Sequence, residues 1–191
     1  MMTVLENHEL IAKISSHGAE LHSLYDKTTK TEYIWQGDKT YWSWHAPICF
    51  PITGRVHNDE YIFENKKYAL TVHGFARDYE FSLLKKTENS VIYELIYNDE
   101  SLKVYPFKFS LQLEYVLSEN GLQVNYTVKN LEDANKDIFF ALGLHTAYNC
   151  PLEKTDDFED YELIFEQKET AKRHFLSNGI INNETADLLN D

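Results

Sequence analysis

The strongest constraint on the fold is an alternation of apolar and polar side chains from position 107 to position 117, interrupted only at Val116. Its apolar members are Phe107, Phe109, Leu111, Leu113, Tyr115 and Leu117. A period of two places all of them on one face of a strand, so the run predicts a long half-buried strand. Turn residues occupy 118–121, and a second alternating run follows from Leu122 to Val128. The two runs together predict a β-hairpin.

Shorter alternating runs predict further strands. They are Leu10–Ile14, Tyr61–Phe63, Phe81–Leu83, Val91–Leu95 and Tyr161–Phe165. No stretch longer than about ten residues has a clear 3.6-residue period, so only short helical turns are expected, around Thr40–Trp44 and Leu102–Tyr105. Short strands separated by polar turns favour an all-β antiparallel sandwich or barrel. The alternation fades after His174, and 177–191 is polar and acidic.

Length and composition indicate one globular domain. The chain has 191 residues, of which 43% are hydrophobic and 26% charged, which is ordinary usage for a folded protein. It has no run of about 18 apolar residues that could span a membrane. Met1–Ile14 lacks the basic start and apolar centre of a signal peptide, so a cytoplasmic location is expected.

The net charge limits the classes of partner, and the cysteine content limits the disulfides that can form. The net charge of −13 argues against binding nucleic acid or an anionic membrane surface. Cys49 and Cys150 are too few for a disulfide framework, and both are expected to be reduced thiols. Beyond this the charge indicates a soluble chain and little more, and the oligomeric state stays open.

Three segments interrupt the alternation of apolar and polar residues. In the first, 42–55, a Trp pair is followed by two prolines, a glycine and Arg55. The guanidinium of Arg55 offers a rigid fork of donors that suits adjacent sugar hydroxyls. A surface salt bridge is the alternative reading, because exposed arginines are common.

Histidines mark the other two segments. In 72–78, His73 precedes Gly74, which suggests an imidazole with backbone passing close beside it; a turn histidine is the alternative. In 139–151, an apolar run leads into His145 and ends at Pro151. A histidine at the end of a buried strand suits proton transfer near neutral pH, and a core histidine with backbone partners is the alternative.

The standard motifs for metals, nucleotides and nucleophilic hydrolysis are missing. The sequence has no GxGxxG or Walker A loop, no HExxH, CxxC or EF-hand loop, and no GxSxG. The nearest metal-type pairing, His145 with Cys150, lacks two further ligands. We therefore predict no metal and no organic cofactor.

Taken in order, these segments resemble the aldose 1-epimerase (galactose mutarotase-like) family. The matching strings are Phe50-Pro-Ile-Thr-Gly-Arg55, His73-Gly-Phe-Ala-Arg77 and Gly143-Leu-His-Thr-Ala-Tyr-Asn-Cys-Pro151. Gly18–Leu24 and Tyr33–Gln36 resemble two early strands of the family. The resemblance spans about residues 10 to 180.

The resemblance implies a fold, an activity and three site residues. The fold is a large antiparallel β-sandwich, the galactose mutarotase-like supersandwich, with an open sugar cleft. The activity is interconversion of the α and β anomers of a free aldose such as galactose or glucose. His145 matches the family's catalytic acid, His73 a second histidine that contacts the sugar, and Arg55 a substrate-binding arginine.

Two departures from the family pattern qualify this expectation. The family more usually reads Gly-Gly-His-Pro at the acid histidine, whereas this chain reads Gly143-Leu-His-Thr146. The family's general-base glutamate lies in C-terminal strands beyond Asp191, so no base is assigned here. We expect residues 1–191 to form one galactose mutarotase-like domain that lacks the C-terminal part of the fold.

Two alternative functions remain open. One is a hexose-6-phosphate 1-epimerase, because the His73–Arg77 string also occurs in that branch. A phosphate would require a cluster of arginines or lysines beside the cleft, and Arg55 and Arg77 are the only arginines close to the motifs. The other is a catalytically silent carbohydrate-binding protein that keeps the aromatic cleft and lacks the base.

Overall fold

A computed structural model of the protein describes residues 1–133, 135–153, 155–168, 170–177 and 180–187. Its strands are β1 Met2–Glu6, β2 Leu10–Ser15, β3 Leu21–Asp26, β4 Thr31–Glu32, β5 Ile48–Cys49, β6 Glu60–Phe63, β7 Lys66–Ala69, β8 Ser82–Lys86, β9 Ser90–Ile96, β10 Phe109–Ser118, β11 Gly121–Asn130, β12 Gly143–Leu144, β13 Lys172–Ser177 and β14 Ile180–Asp187. Helix α1 is Asp99–Val104, and short 3-10 turns occur at His57–Asp59, Ala76–Asp78 and Phe158–Asp160.

Two four-stranded antiparallel sheets form the body of the protein. Their strand orders are β1-β2-β3-β4 and β11-β10-β9-β8. Buried side chains of both sheets belong to one continuous core. The Tyr115 hydroxyl donates to the carbonyl of Ala19 at 2.6 Å, and the hydroxyls of Thr3 and Tyr93 share a hydrogen bond of 2.7 Å. The predicted all-β antiparallel sandwich is confirmed.

The alternation that led the sequence analysis matches the burial of β10. All six apolar residues from Phe107 to Leu117 are buried, and β10 pairs with β11 in continuous register from Phe109–Asn130 to Ser118–Gly121. The strands expected at Leu10–Ile14, Tyr61–Phe63, Phe81–Leu83 and Val91–Leu95 are also present, with ends within one residue except that β8 extends three residues further, to Lys86. The helical turn expected near Leu102 is α1, whose start is capped by the Asn98 side chain.

One prediction in the C-terminal third is wrong, and strands β13 and β14 there were not predicted. Residues 161–165 form no strand, and Leu163 and Ile164 are almost fully exposed. A strand needs a hydrogen-bonded neighbour, and among the described residues none lies beside this run. The polar segment after 177 instead forms β14, which pairs with β13. Residues 188–191, at the end of the sequence, lie outside the described residues.

The centre of the core is aromatic and contains Phe50. This residue follows β5 directly and is fully buried. Its ring lies 5.0 Å from that of Phe109, 5.7 Å from Phe140 and 6.0 Å from Tyr105, measured between centroids. Among the residues that the structure describes, no helix is long and apolar enough to cross a membrane.

Gly74 lies against the backbone of Phe50 and joins it in an isolated parallel bridge. Its φ is +73°, and a Cβ at this position would overlap the carbonyl oxygen of Phe50. Gly54 has a similar φ of +80° with open space around the same point. The close backbone approach predicted beside His73 is therefore present.

These two glycines form a matched pair for a stability test. Gly54→Ala should incur only the left-handed backbone strain, about 1–2 kcal/mol. Gly74→Ala adds overlap in a packed region, so its free energy of unfolding should fall by about 1–3 kcal/mol more. Urea denaturation measures both. Equal losses in the two variants would contradict the close approach to Phe50.

Candidate functional site

The backbone from His45 to Gly54 brings the two histidine segments together. On one side, the amide of Phe50 donates to the carbonyl of His73, and the amides of Phe75 and Ala76 donate to the carbonyl of Phe50. On the other side, β12 pairs with β5, and the amide of His145 donates to the carbonyl of Pro47 at 3.1 Å. One stretch of extended chain thus holds both imidazoles at neighbouring positions.

The orientation of His73 is determined by Gly54. The amide of Gly54 donates to Nδ1 of His73 at 3.0 Å, and the amide of His73 donates to the carbonyl of Gly54 at 2.7 Å. Because Nδ1 accepts a hydrogen bond, the neutral ring carries its proton on Nε2. His73 therefore presents an N–H donor at Nε2.

The surroundings of His73 favour its neutral form. Burial lowers the pKa of His73, and the positive Arg77 and neighbouring His145 lower it further. The rings of His73 and His145 meet edge to face, with centroids 5.4 Å apart and an interplanar angle of 73°. The structure thus brings two of the three predicted site residues together.

His145 lies in a more exposed setting than the sequence suggested. Only Gly143–Leu144 of the preceding apolar run is a strand, and Phe139, Phe140 and Leu144 are each roughly half exposed or more. The expectation of a buried strand leading into His145 is wrong, because no described residues cover that side of the run. The His145 ring is itself exposed and packs 5.0 Å from the Trp42 ring.

Arg55 shares a cavity of about 630 Å³ with His73. Thr53, His57 and Leu176 also line this cavity. The guanidinium of Arg55 donates to both carboxylate oxygens of Asp59, at 2.6 and 2.7 Å, and is half exposed. The surface salt bridge that the sequence analysis kept as an alternative is therefore present, at the rim of the cavity that contains His73.

Arg77 and Trp44 are additional residues near the site for which no role was predicted. The guanidinium of Arg77 lies 5.2 Å from the centre of the Trp44 ring and donates to the carbonyl of Val72 at 3.0 Å. Its side chain is only 17% exposed. Both residues occur in the segments singled out from the sequence, but only the fold shows that they stack on each other.

Glu20 is a second residue that sequence reasoning missed. Its Oε1 accepts from the backbone amides of His45 and Ala46, at 2.8 and 3.0 Å. These bonds join the start of β3 to the segment from His45 to Gly54. Burial alone would raise the pKa of Glu20. The hydrogen bonds from His22, His45 and Ala46 outweigh burial and lower it. No local motif marks this contact, because 25 residues separate the partners.

The ion pairs do not identify a base for the proposed chemistry. Of the ion pairs formed between described residues, none joins an Asp or Glu to His73 or His145. The chemistry of the site, as far as the described residues show it, is that of two adjacent imidazole groups beside an open cavity. Such groups can donate and shuttle protons near neutral pH.

Comparison with known proteins defines the class to which this fold and site belong. A sequence profile of the aldose 1-epimerase family matches residues 1–185. The plasmid and chromosomal LacX proteins of Lactococcus lactis subsp. lactis are each 36% identical to this chain over 176 residues, which is 89% of this chain and 58% of theirs.

Solved structures agree with this assignment. A galactose mutarotase-like protein from Lactobacillus casei is 40% identical with a TM-score of 0.86, and a galactose mutarotase related enzyme from Lactobacillus acidophilus is 35% identical with a TM-score of 0.91. Both cover 98% of this chain, which covers 64% and 62% of theirs. The chain belongs to the aldose 1-epimerase family, as the sequence motifs predicted, and spans less than two thirds of the length of these relatives.

The tautomer and protonation of His73 can be tested by NMR. The ring should titrate with a midpoint below the ordinary histidine value of 6.5, and its nitrogen shifts should show a proton on Nε2. His73→Gln identifies the resonances by removing them. A midpoint at or above 6.5, or a proton on Nδ1, would contradict the environment described for His73.

The same lowered pKa has a consequence for stability. Between the lowered pKa and 6.5, the unfolded chain binds more protons at this histidine than the folded chain does. The free energy of unfolding should therefore fall as the pH decreases through that window. Urea denaturation across the window should give a shallower dependence on pH in His73→Gln than in the wild type.

Proposed function

We propose that the protein binds a free aldose between His145, His73 and Arg55 and catalyses interconversion of its α and β anomers. The observation that carries this proposal is the edge-to-face pair of His73 and His145 at 5.4 Å beside the cavity that Arg55 lines. Family membership supports a mutarotase-like function in general. The sugar itself, galactose or glucose, and the cytoplasm as location are part of the proposal.

The reaction needs an acid and a base. A base removes the proton of the C1 hydroxyl while an acid protonates the ring oxygen, and the bond between C1 and that oxygen breaks to give the open-chain aldehyde. Rotation about C1–C2 and reversal of the proton transfers close the other anomer. Positioned acid and base groups contribute about 10²–10⁴-fold each.

His145 is the proposed acid, and His73 the proposed partner at the ring oxygen. His73 donates through Nε2, because its Nδ1 is occupied by the amide of Gly54. Arg55 would orient sugar hydroxyls, which requires part of its pairing with Asp59 to open. The proposed base is a carboxylate outside the described residues, so activity is tested on the longest product of the reading frame as well as on the 191-residue chain.

Polarimetry on freshly dissolved α-D-glucose and α-D-galactose tests the activity. The protein should speed the approach to anomeric equilibrium over buffer, and His145→Asn should lower kcat by about 10²–10⁴-fold because Asn cannot cycle a proton. His73→Asn should reduce kcat less. His8→Asn, at an exposed histidine paired with Glu9, is the control and should not change it.

The rival functions predict different results. A silent carbohydrate-binding protein would bind sugar in a calorimeter without any rate enhancement. If His145 served only as a structural histidine, His145→Asn would lower stability and leave turnover per folded molecule within about tenfold of the wild type. Either result would overturn the assignment of His145.

A hexose 6-phosphate is the less favoured substrate. Arg55 is held by Asp59, and Arg77 is stacked on Trp44 and bonded to the carbonyl of Val72. A dianion binds best to a cluster of unpaired arginines. Arg55 already has an anionic partner, and Arg77 is largely enclosed, although its Nε has no hydrogen-bond partner among the described residues. Free glucose should therefore shift the melting temperature at least as much as glucose 6-phosphate. A shift with the phosphate alone would reverse this order.

A further inference from the structure

A compact cluster of Glu20, His22 and His45 lies apart from the proposed sugar site. Glu20 immediately precedes β3, His22 lies in β3, and His45 begins the segment shared by the two catalytic histidine loops. One potential ligand atom from each of the three residues lies within 4.8 Å of the others. None of the three lines the cavity that contains Arg55 and His73.

We propose that Glu20, His22 and His45 bind one divalent transition-metal ion, with Zn²⁺ as the best match. Two imidazole nitrogens and one carboxylate oxygen form a donor set that suits zinc and its neighbours in the first transition series, whereas Mg²⁺ and Ca²⁺ prefer oxygen ligands throughout. Three protein ligands leave a fourth position for water. The spacing in sequence, 20, 22 and 45, matches no local zinc motif, which is why sequence analysis missed it.

The ligand atoms are close enough for coordination once a histidine ring rotates. Oε2 of Glu20 lies 3.0 Å from Nε2 of His22 and 3.9 Å from Nδ1 of His45. Ligands at about 2.1 Å from a tetrahedral zinc ion lie roughly 3.4 Å from one another. These two separations fall on either side of that value, and the histidine nitrogens lie within 4.8 Å of each other. An ion between the three atoms therefore requires rotation of a histidine ring and replacement of the present hydrogen bond between Nε2 of His22 and Oε2 of Glu20.

Two features indicate a site that is already organised. Oε1 of Glu20 accepts from the amides of His45 and Ala46, which orients the carboxylate and leaves Oε2 directed at the histidines. Such hydrogen bonds to a ligating carboxylate are typical of metal sites. In addition, Nδ1 of His45 is buried without a hydrogen-bond partner among the described residues. A buried nitrogen without a partner needs explanation, and a metal ion would supply one.

Binding of one ion requires the two rings to leave their present arrangement. The rings of His22 and His45 are stacked, with centroids 3.9 Å apart and an interplanar angle of 12°. A ring nitrogen binds a metal ion through a lone pair in the plane of the ring, so two nearly parallel rings do not aim at one point. The His22 side chain is 28% exposed, which leaves it room to rotate. Neutral rings beside an anionic carboxylate are the forms that bind a cation, since metal ligands must be deprotonated.

The expected role of the ion is structural. Bound metal would connect β3 to the segment that begins at His45, and that segment holds the amide of His145 through the carbonyl of Pro47. An ion bound only by the folded chain stabilises it in proportion to occupancy. Metal should therefore raise the melting temperature without any contact to the proposed sugar site.

Calorimetric titration of metal-free protein with Zn²⁺ tests the site directly. We expect saturable binding of one ion per chain in buffer with about 150 mM salt, which screens the negative surface, and with excess Mg²⁺ present. Co²⁺ should bind at the same stoichiometry and develop the visible absorption of a nitrogen- and oxygen-ligated ion. The melting temperature should rise with the metal concentration.

Variants distinguish this site from chance binding on an acidic protein. His22→Gln, on a partly exposed strand position, should weaken Zn²⁺ binding by about 100-fold or more, since even outer-shell changes reduce metal affinity 10–100-fold. His45→Gln should weaken Zn²⁺ binding to a similar extent, and it replaces His22→Gln as the test if that variant folds poorly. His17→Gln removes a matched exposed histidine, 3.3 Å from Glu80, and should leave affinity within about twofold.

Two outcomes would overturn the proposal. One is the absence of saturable binding by the wild-type protein while Mg²⁺ is present. The other is equal affinity in His22→Gln, His45→Gln, His17→Gln and the wild type, which would show that Zn²⁺ binds elsewhere on the surface. Neither outcome depends on the proposed epimerase activity, because binding and thermal stability are the only measurements.

Discussion

The site depends on the hydrogen bonds that the backbone from His45 to Gly54 makes on its two edges. Phe50 accepts and donates bonds to the segment around His73 on one side, and Pro47 accepts from His145 on the other. Buried backbone groups must be paired. Backbone hydrogen bonds therefore hold the segments that carry His73 and His145 at a fixed spacing, without the help of either imidazole. The fully buried ring of Phe50 fixes this segment to the core.

The opposite end of the segment is fixed by charge. The buried carboxylate of Glu20 receives two amides of the segment and a bond from His22. Hydrogen bonds to an ionised group are stronger than those between neutral groups, so this contact is a firm link between the first sheet and the site. A metal ion at the same carboxylate would strengthen an attachment that the protein already has.

The exposed apolar surface of the last third agrees with the short coverage of the relatives. Phe139, Leu163, Ile164 and Leu176 are each 64% exposed or more, and the chain spans 58% of the length of the LacX proteins. Apolar patches of this kind usually contact other polypeptide. Leu176 also lines the cavity that contains Arg55 and His73, so part of this exposed apolar surface lies at the proposed site.

The sequence by itself determined most strands of the two main sheets, because period-two alternation and polar turns are local properties. In β10 the apolar Val116 and the buried Ser110 depart from that pattern. The sequence also determined the family, since the strings around Arg55, His73 and His145 are short and ordered. Tertiary structure alone decided the tautomer of His73, the pairing of Arg55 with Asp59 and the exposure of the run before His145. It also decided the cluster of Glu20, His22 and His45, whose members come from distant parts of the chain. These features depend on which backbone lies beside each residue after folding, and no local pattern of side chains carries that information.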